Sequence, residues 1–200
     1  MNLVTHSLGV NFYFLAPPQP AADLVLWADR LDQQYSETRL ELLIKKLSDE
    51  LGARTMSFSS VSYDPHGASA NLLIAQHVSA LAHLDASHIS THTYFDVGDE
   101  NQWSSFRLEL EISTCGDTHP VESLNGLFDR LKPHFATIDE RSRGAGVDSS
   151  GQISLAKNDR RLKEMTIADY NVCAQREGSA MLTSNKNDPV IHAAIAALVS

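Results

Sequence analysis

Cysteine is scarce in this sequence: Cys115 and Cys173 are the two in 200 residues. One disulfide is arithmetically open to them, but a disulfide-stapled scaffold is excluded. A reducing cytoplasm is therefore the expected compartment. No run of about 18 apolar residues occurs, so no helical membrane span is expected. The opening MNLVTHSLGVNFYFLAPP has no basic leader followed by an apolar run and a cleavage signal, and no secretory signal is expected. Positive charge is also in short supply. Sixteen Lys and Arg against 25 Asp and Glu leave a net charge of −9. Phosphate binding needs a basic surface, so a nucleic-acid partner is not expected. An acidic protein suits a cationic small molecule, although acidity more often serves solubility alone. No repeat at a solenoid period and no low-complexity tract interrupts the chain.

What is present is ordinary for a globular domain, 42% hydrophobic and 20% charged, and the length suffices for one domain with a sizeable core. GVNFYFLA (9–16) is aromatic and apolar and reads as a first strand, which PPQP ends. AADLVLWADRLDQQY and SETRLELLIKKLSDELG carry apolar residues at helical spacing. In the second, Leu40, Leu43, Ile44, Leu47 and Leu51 form one stripe, Ser36 and Glu37 suit its start, and Gly52 its end. ARTMSFSSVSYD reads as a strand and PHG as a turn. ASANLLIAQHV fits either a strand or a short helix.

SHISTHTYF and SSFRLELEIST read as strands. The second is the clearest in the chain, with Phe106, Leu108, Leu110 and Ile112 on one face and Arg107, Glu109, Glu111 and Ser113 on the other. PVESLNGLFDRLK is an amphipathic helix after a Pro start, and HFATIDERSRG is a strand running into a Gly-containing turn. Beyond Gly144 the patterning weakens. RRLKEMTIADYNVCAQ is mixed, and DPVIHAAIAALVS reads as a C-terminal helix. The expected class is α+β, a mainly antiparallel sheet with one face covered by helices.

Chemistry concentrates in AHLDASHISTHTYFDV (82–97), where His83, His88 and His92 crowd around Asp85 and Ser87. In an extended segment His88, Ser90, His92 and Tyr94 share a face. His88 and His92, with Asp85 or His83 nearby, could bind zinc. No HExxH pattern or Cys pair accompanies them, so no dedicated metal site is expected. A Ser-His-Asp hydrolase is disfavoured because Ser87 lacks the G-x-S-x-G elbow. Cys115 has the parity of Arg107, Glu109 and Glu111 and continues the polar face if the strand persists that far.

Four segments in order, GAS ending at Ser69, HLDASHISTHTY, FRLELEISTCG and ATIDERSRG, closely resemble the S-adenosylmethionine decarboxylases, in particular the longer bacterial type. The resemblance runs from about Leu40 to Gly144. It implies an α/β sandwich of that family's kind, and a single domain (1–200) that cleaves itself between Ala86 and Ser87. The products are a β chain (1–86) and an α chain (87–200), with residues 145–200 divergent. A decarboxylase of an α-amino acid needs an electron sink for the carbanion left when CO₂ departs. The family makes one from its own backbone. The serine hydroxyl attacks the preceding carbonyl to give an ester. Removal of the serine α-proton then eliminates the ester, and hydrolysis leaves a pyruvoyl group. That ketone forms a Schiff base with the substrate amine.

Carried over by position, Ser87 is the pyruvoyl precursor and His92 the processing base, since imidazole exchanges protons near neutral pH. Ser69 assists processing through a hydrogen bond, and Cys115 reprotonates the product carbon. The resemblance further implies a small-molecule substrate, a homodimer or larger assembly of cleaved units, and the making of the aminopropyl donor for spermidine. Some bacterial members are stimulated by Mg²⁺, which leaves Mg²⁺ stimulation open. Two departures bear on recognition. After HTY the family usually has Pro-Glu, whose glutamate grips the ribose hydroxyls; here Phe95-Asp96 stands there, and Asp is a methylene shorter. An aromatic usually follows RG, where this chain has Ala145. Pyruvoyl-dependent ornithine or arginine decarboxylases are thus an alternative, with Asp96 or Glu109 meeting the cationic tail. A non-processing homologue that only binds a ligand is a further one.

Overall fold

The computed structural model describes residues 2–76, 87–115, 118–147, 150–156 and 161–199. In chain order the elements are β1 (Asn2–Ala16), α1 (Ala21–Gln34), α2 (Glu37–Glu50), β2 (Ala53–Ser62), β3 (Ala68–Gln76), β4 (Ser87–Asp96) and β5 (Ser104–Cys115). A 3-10 turn (Pro120–Ser123) leads into α3 (Leu124–Leu131). Then come β6 (Phe135–Val147), β7 (Ile153–Leu155), α4 (Arg161–Glu164), β8 (Tyr170–Arg176), β9 (Ser179–Ser184) and α5 (Pro189–Val199).

The strands form one sheet in the order β2-β3-β4-β5-β1-β6-β9-β8, with β7 paired to β6. Every pairing is antiparallel. Alternation decides which face meets the helices. Leu8, Val10, Phe12 and Phe14 of β1, Ile89 of β4, and Phe106, Leu108, Leu110 and Ile112 of β5 are buried on one face. They pack with Leu31 and Tyr35 near the end of α1, Leu40, Ile44 and Leu47 of α2, and Leu124, Leu127 and Phe128 of α3. Each of these large side chains stabilises the fold by ~1.5–3 kcal/mol through burial. Tyr35 packs on Phe106 with ring centroids 5.0 Å apart, and burial pushes its phenol well above the ordinary range.

The α+β expectation holds, with three refinements. β1 begins at Asn2 rather than residue 9, because His6 and Thr5 pair on both sides with β5 and β6. ASANLLIAQ settles as strand β3, since β2 and β4 flank it and supply its ladder. The helices are not confined to one face: Ile191 and Ile195 of α5 pack on Phe135, beside Tyr13, Leu15 and Met181, at one corner of the opposite face. The remainder of that face has no helix over it among the described residues, and is called the open face below.

The expected helix over PVESLNGLFDRLK opens as the 3-10 turn with Pro120 at its start. It closes at Lys132 in the left-handed conformation, φ 51°. The mixed stretch after Gly144 resolves into α4 and the β8–β9 hairpin. The hairpin turns at Gly178, where φ is +71° and an added Cβ would lie 2.7 Å from the Glu140 carbonyl oxygen. Glycine is required there.

Candidate active site

The open face carries a row of polar side chains set by register. Ser69 lies opposite His92 across β3 and β4. His92 in turn lies opposite Glu109, and Tyr94 opposite Arg107. Asn11 faces Glu109 from β1. The Tyr63 and Ser69 hydroxyls are 2.9 Å apart, which fixes the buried Ser69 side chain. The Arg107 guanidinium lies 4.2 Å above the Tyr94 ring and 3.7 Å from the Glu109 carboxylate. A cavity of about 360 Å³ opens between Ser57, Ser59, Asn71, His88 and Ser90. Asp96 is exposed at the end of β4, beyond Tyr94.

A second group lies at the other end of the β4–β5 ladder. Ser87 is the first residue of β4, 1% exposed, and its Oγ has no hydrogen-bond partner among the described residues. His88 pairs with Ser113, so Cys115, two residues on, stands at the same end of the ladder as Ser87. Cys115 is half-buried and unpaired by any disulfide, with its Sγ 3.8 Å from Thr5 Oγ1. On the same face the Ser113 and Ser7 hydroxyls are 3.4 Å apart, and Arg143 donates to Ser7 at 3.1 Å.

The structure brings Ser69, His92 and Glu109 together, and it sets Cys115 beside the start of β4. It does not bring His92 to Ser87. Five residues of extended chain separate them, about 17 Å at the usual rise. Burial also alternates along β4, so Ser87 points to the helix side while His92 points to the open face. Ala86, His83 and Asp85 lie outside the described residues. No cluster of three or more His, Cys, Asp or Glu able to hold a metal occurs among the described residues. No helix there is long and apolar enough to cross a membrane.

Sequence reasoning missed Tyr63 and Thr5, which contact Ser69 and Cys115, and Ser7 and Arg143 beside them. Arg143 and Thr5 pair in register, but their strands are far apart in sequence. The available signal was parity alone: Thr5, Ser7, Asn11 and Tyr13 form the non-core face of β1.

A family model described as S-adenosylmethionine decarboxylase matches residues 27–144. The S-adenosylmethionine decarboxylase proenzyme of Chromohalobacter salexigens is 32% identical over 169 residues, covering 76% of this chain and 64% of that one. The proenzyme of the same name from Hahella chejuensis is 33% identical over 167 residues, covering 75% and 63%. The chain thus spans just under two thirds of the length of these curated relatives. The crystal structure of the adenosylmethionine decarboxylase from Aquifex aeolicus aligns with 76% of this chain and 97% of that one, at 18% identity and a TM-score of 0.43.

Proposed function

The chain belongs to the S-adenosylmethionine decarboxylase family, and from that premise we propose that it is a self-processing proenzyme whose product decarboxylates S-adenosylmethionine. The observation that carries the reading is Ser87. Ser87 Oγ is buried without a hydrogen-bond partner among the described residues, and a buried hydroxyl left unpaired costs about 1–3 kcal/mol. A hydroxyl that reacts with its own backbone accounts for it. Its oxygen bonds to the carbonyl carbon of residue 86 as the C–N bond breaks, giving an ester and a free amine. Loss of the Ser87 α-proton expels the residue 86 carboxylate, and water then replaces the nitrogen, which leaves as ammonia. The position of Ser87 at the head of a strand fits a chain terminus held rigidly at the edge of the site. The resulting pyruvoyl group supplies the electron sink that decarboxylation requires.

The chain's own side chains supply the rest. Cys115, half-buried at the same end of the ladder, is the acid that returns a proton to the product carbon. His92, with Ser69 level with it, is the base of the elimination step by family resemblance. Its distance from Ser87 in the uncut chain makes it the assignment most exposed to test. Glu109 and Asp96 are the carboxylates on the open face available to the substrate's hydroxyls. The relatives' name favours S-adenosylmethionine over ornithine or arginine. The open face also supports the pairing of two units through their sheets.

Intact mass and a denaturing gel on fresh protein test the proposal, beside Ser87→Ala and His92→Ala. The expected result is two chains, 1–86 and 87–200, the second with a blocked N-terminus. Ser87→Ala stays whole, and His92→Ala accumulates an ester that hydroxylamine cuts. A parent chain that never cuts overturns the decarboxylase reading.

A further inference from the structure

The helix side of the sheet holds a polar row that the open-face site does not use. Four adjacent strands supply it. His88 pairs with Ser113, so one step along each strand Ser87 stands beside Thr114. Thr114 pairs with His6, and His6 pairs with Ser142. Ser87, Thr114 and His6 are buried, where a polar group is costly unless partnered, and Ser142 is half-buried. Thr114 is fully buried and His6 is 8% exposed.

The row is tied together from Thr114 onward. The Thr114 hydroxyl donates to the Thr118 carbonyl at 2.7 Å, with the His6 carbonyl 3.4 Å away. His6 Nδ1 is 2.9 Å from Ser142 Oγ, and the His6 ring lies 4.1 Å, centroid to centroid, from His119. A threonine hydroxyl has one proton and two acceptor lone pairs. With its proton directed at those carbonyls, Thr114 presents acceptor capacity inside the sheet. The buried hydroxyl beside it in register is that of Ser87, whose Oγ has no partner among the described residues.

We propose that Thr114 is a positioning residue for the self-processing of Ser87, held in place by His6 and Ser142. This rests on the processing reading above. The two hydroxyls are not bonded in the resting rotamer; rotation about the Ser87 side-chain torsion lets its O–H donate to Thr114 Oγ1, which fixes that torsion and turns a lone pair of Ser87 Oγ toward the preceding carbonyl carbon. His92, on the opposite face, has no access to that hydroxyl. The two proton events of processing are thereby divided between the faces of β4: the hydroxyl is oriented from the helix side, and the α-proton is removed from the open side.

The test compares Thr114→Val, which keeps the shape and removes the hydroxyl, with Thr114→Ser, which keeps the hydroxyl. Appearance of the two chains is timed, hydroxylamine-cleavable ester is assayed, and melting temperature is recorded. Thr114→Val is expected to cut roughly tenfold more slowly, the kinetic equivalent of one hydrogen bond, without accumulating ester, because it stalls before the acyl shift. Thr114→Ser is expected to restore the rate to within about threefold of the parent, the residual reflecting only the looser side chain. If Thr114→Val fails to fold, Ser142→Ala, which removes the hydroxyl 2.9 Å from His6 Nδ1, is expected to slow cutting several-fold with the ester again absent. A Thr114→Val chain that cuts at the parent rate, or a Thr114→Ser chain as slow as Thr114→Val, overturns the inference. A parent that does not cut overturns the processing reading and this inference with it.

Discussion

A single residue carries most of the chemical interpretation. Ser87 is the last place a packing argument would put a bare hydroxyl, at 1% exposure and with no partner among the described residues. Cys115 differs in kind, being half-buried on the open face with only a weak contact to Thr5. That is accessible enough to reach a substrate carbon. Cys115→Ala is expected to cut normally, because the thiol takes no part in the acyl shift. Its decarboxylation rate is expected to fall by roughly 10²–10⁴, the usual range for a lost general acid. Carbon dioxide release by the cleaved variant measures this, and undiminished release removes Cys115 from the site.

His134 gives a second residue-scale expectation. Burial holds its imidazole below the ordinary histidine range, and its Nδ1 accepts the Leu15 N–H at 2.8 Å. Protonation would both charge a buried ring and break that bond. The folded state thus binds this proton less readily than the unfolded chain. The contribution is full above the unfolded value, near 6.5, and is lost as pH falls below it. Melting temperature is expected to drop between pH 7.5 and 5.5, and less so in His134→Gln; equal drops would remove His134 as the cause.

Among the elements, α5 is held by a small cluster apart from the main core. Its anchor is Ile191 and Ile195 on Phe135, and its start is capped by Asp188. One oxygen of Asp188 accepts the N–H groups of Val190 and Ile191, each at 2.9 Å. Asp188→Ala is expected to cost about 1 kcal/mol, the usual value of a lost cap, read by denaturant unfolding; no loss would mean that Phe135 packing alone holds the helix. The same corner explains why sequence reasoning confined helices to one face. The periodicity of PVIHAAIAALV identifies a helix but not which apolar patch it covers, and Tyr13, Leu15, Phe135 and Met181 are patch residues brought together from three strands. The β8–β9 hairpin was hidden for a related reason. VCAQR is exposed almost throughout, so it has no buried alternation to read.

At the scale of the whole molecule, the proposed cut before Ser87 would not divide the fold. The 1–86 part supplies β1, and β1 lies in the middle of the sheet between β5 and β6, both from the 87–200 part. β3 is hydrogen-bonded to β4 as well. Separating the chains would strip two core interfaces, including Leu8, Val10 and Phe12 of β1. Processed protein is therefore expected to show two chains under denaturing conditions and one inseparable species under native mass spectrometry. Native release of either chain would contradict the position of β1. The same measurement counts units per assembly and so tests the pairing proposed for the open face.

The sequence by itself determined α1, α2, β4, β5 and the body of β6. The two helices and β5 each have an apolar stripe long enough to read without knowing its partner, whereas β4, with Ser87, Ile89, Thr91 and Thr93 on its buried face, is read from its β-branched and aromatic content. The resemblance of the chain's motifs to the family's also singled out Ser69, Ser87, His92 and Cys115, carried over by position. Tertiary structure decided which of these face one another. Parity along β4 separates Ser87 from His92, register sets Ser69 level with His92, and β1, inserted between β5 and β6, brings Thr5, Ser7 and His6 beside residues more than a hundred positions away. Side-chain direction repeats every two residues and is visible in a strand, but strand order and register are set by the pairing of distant segments.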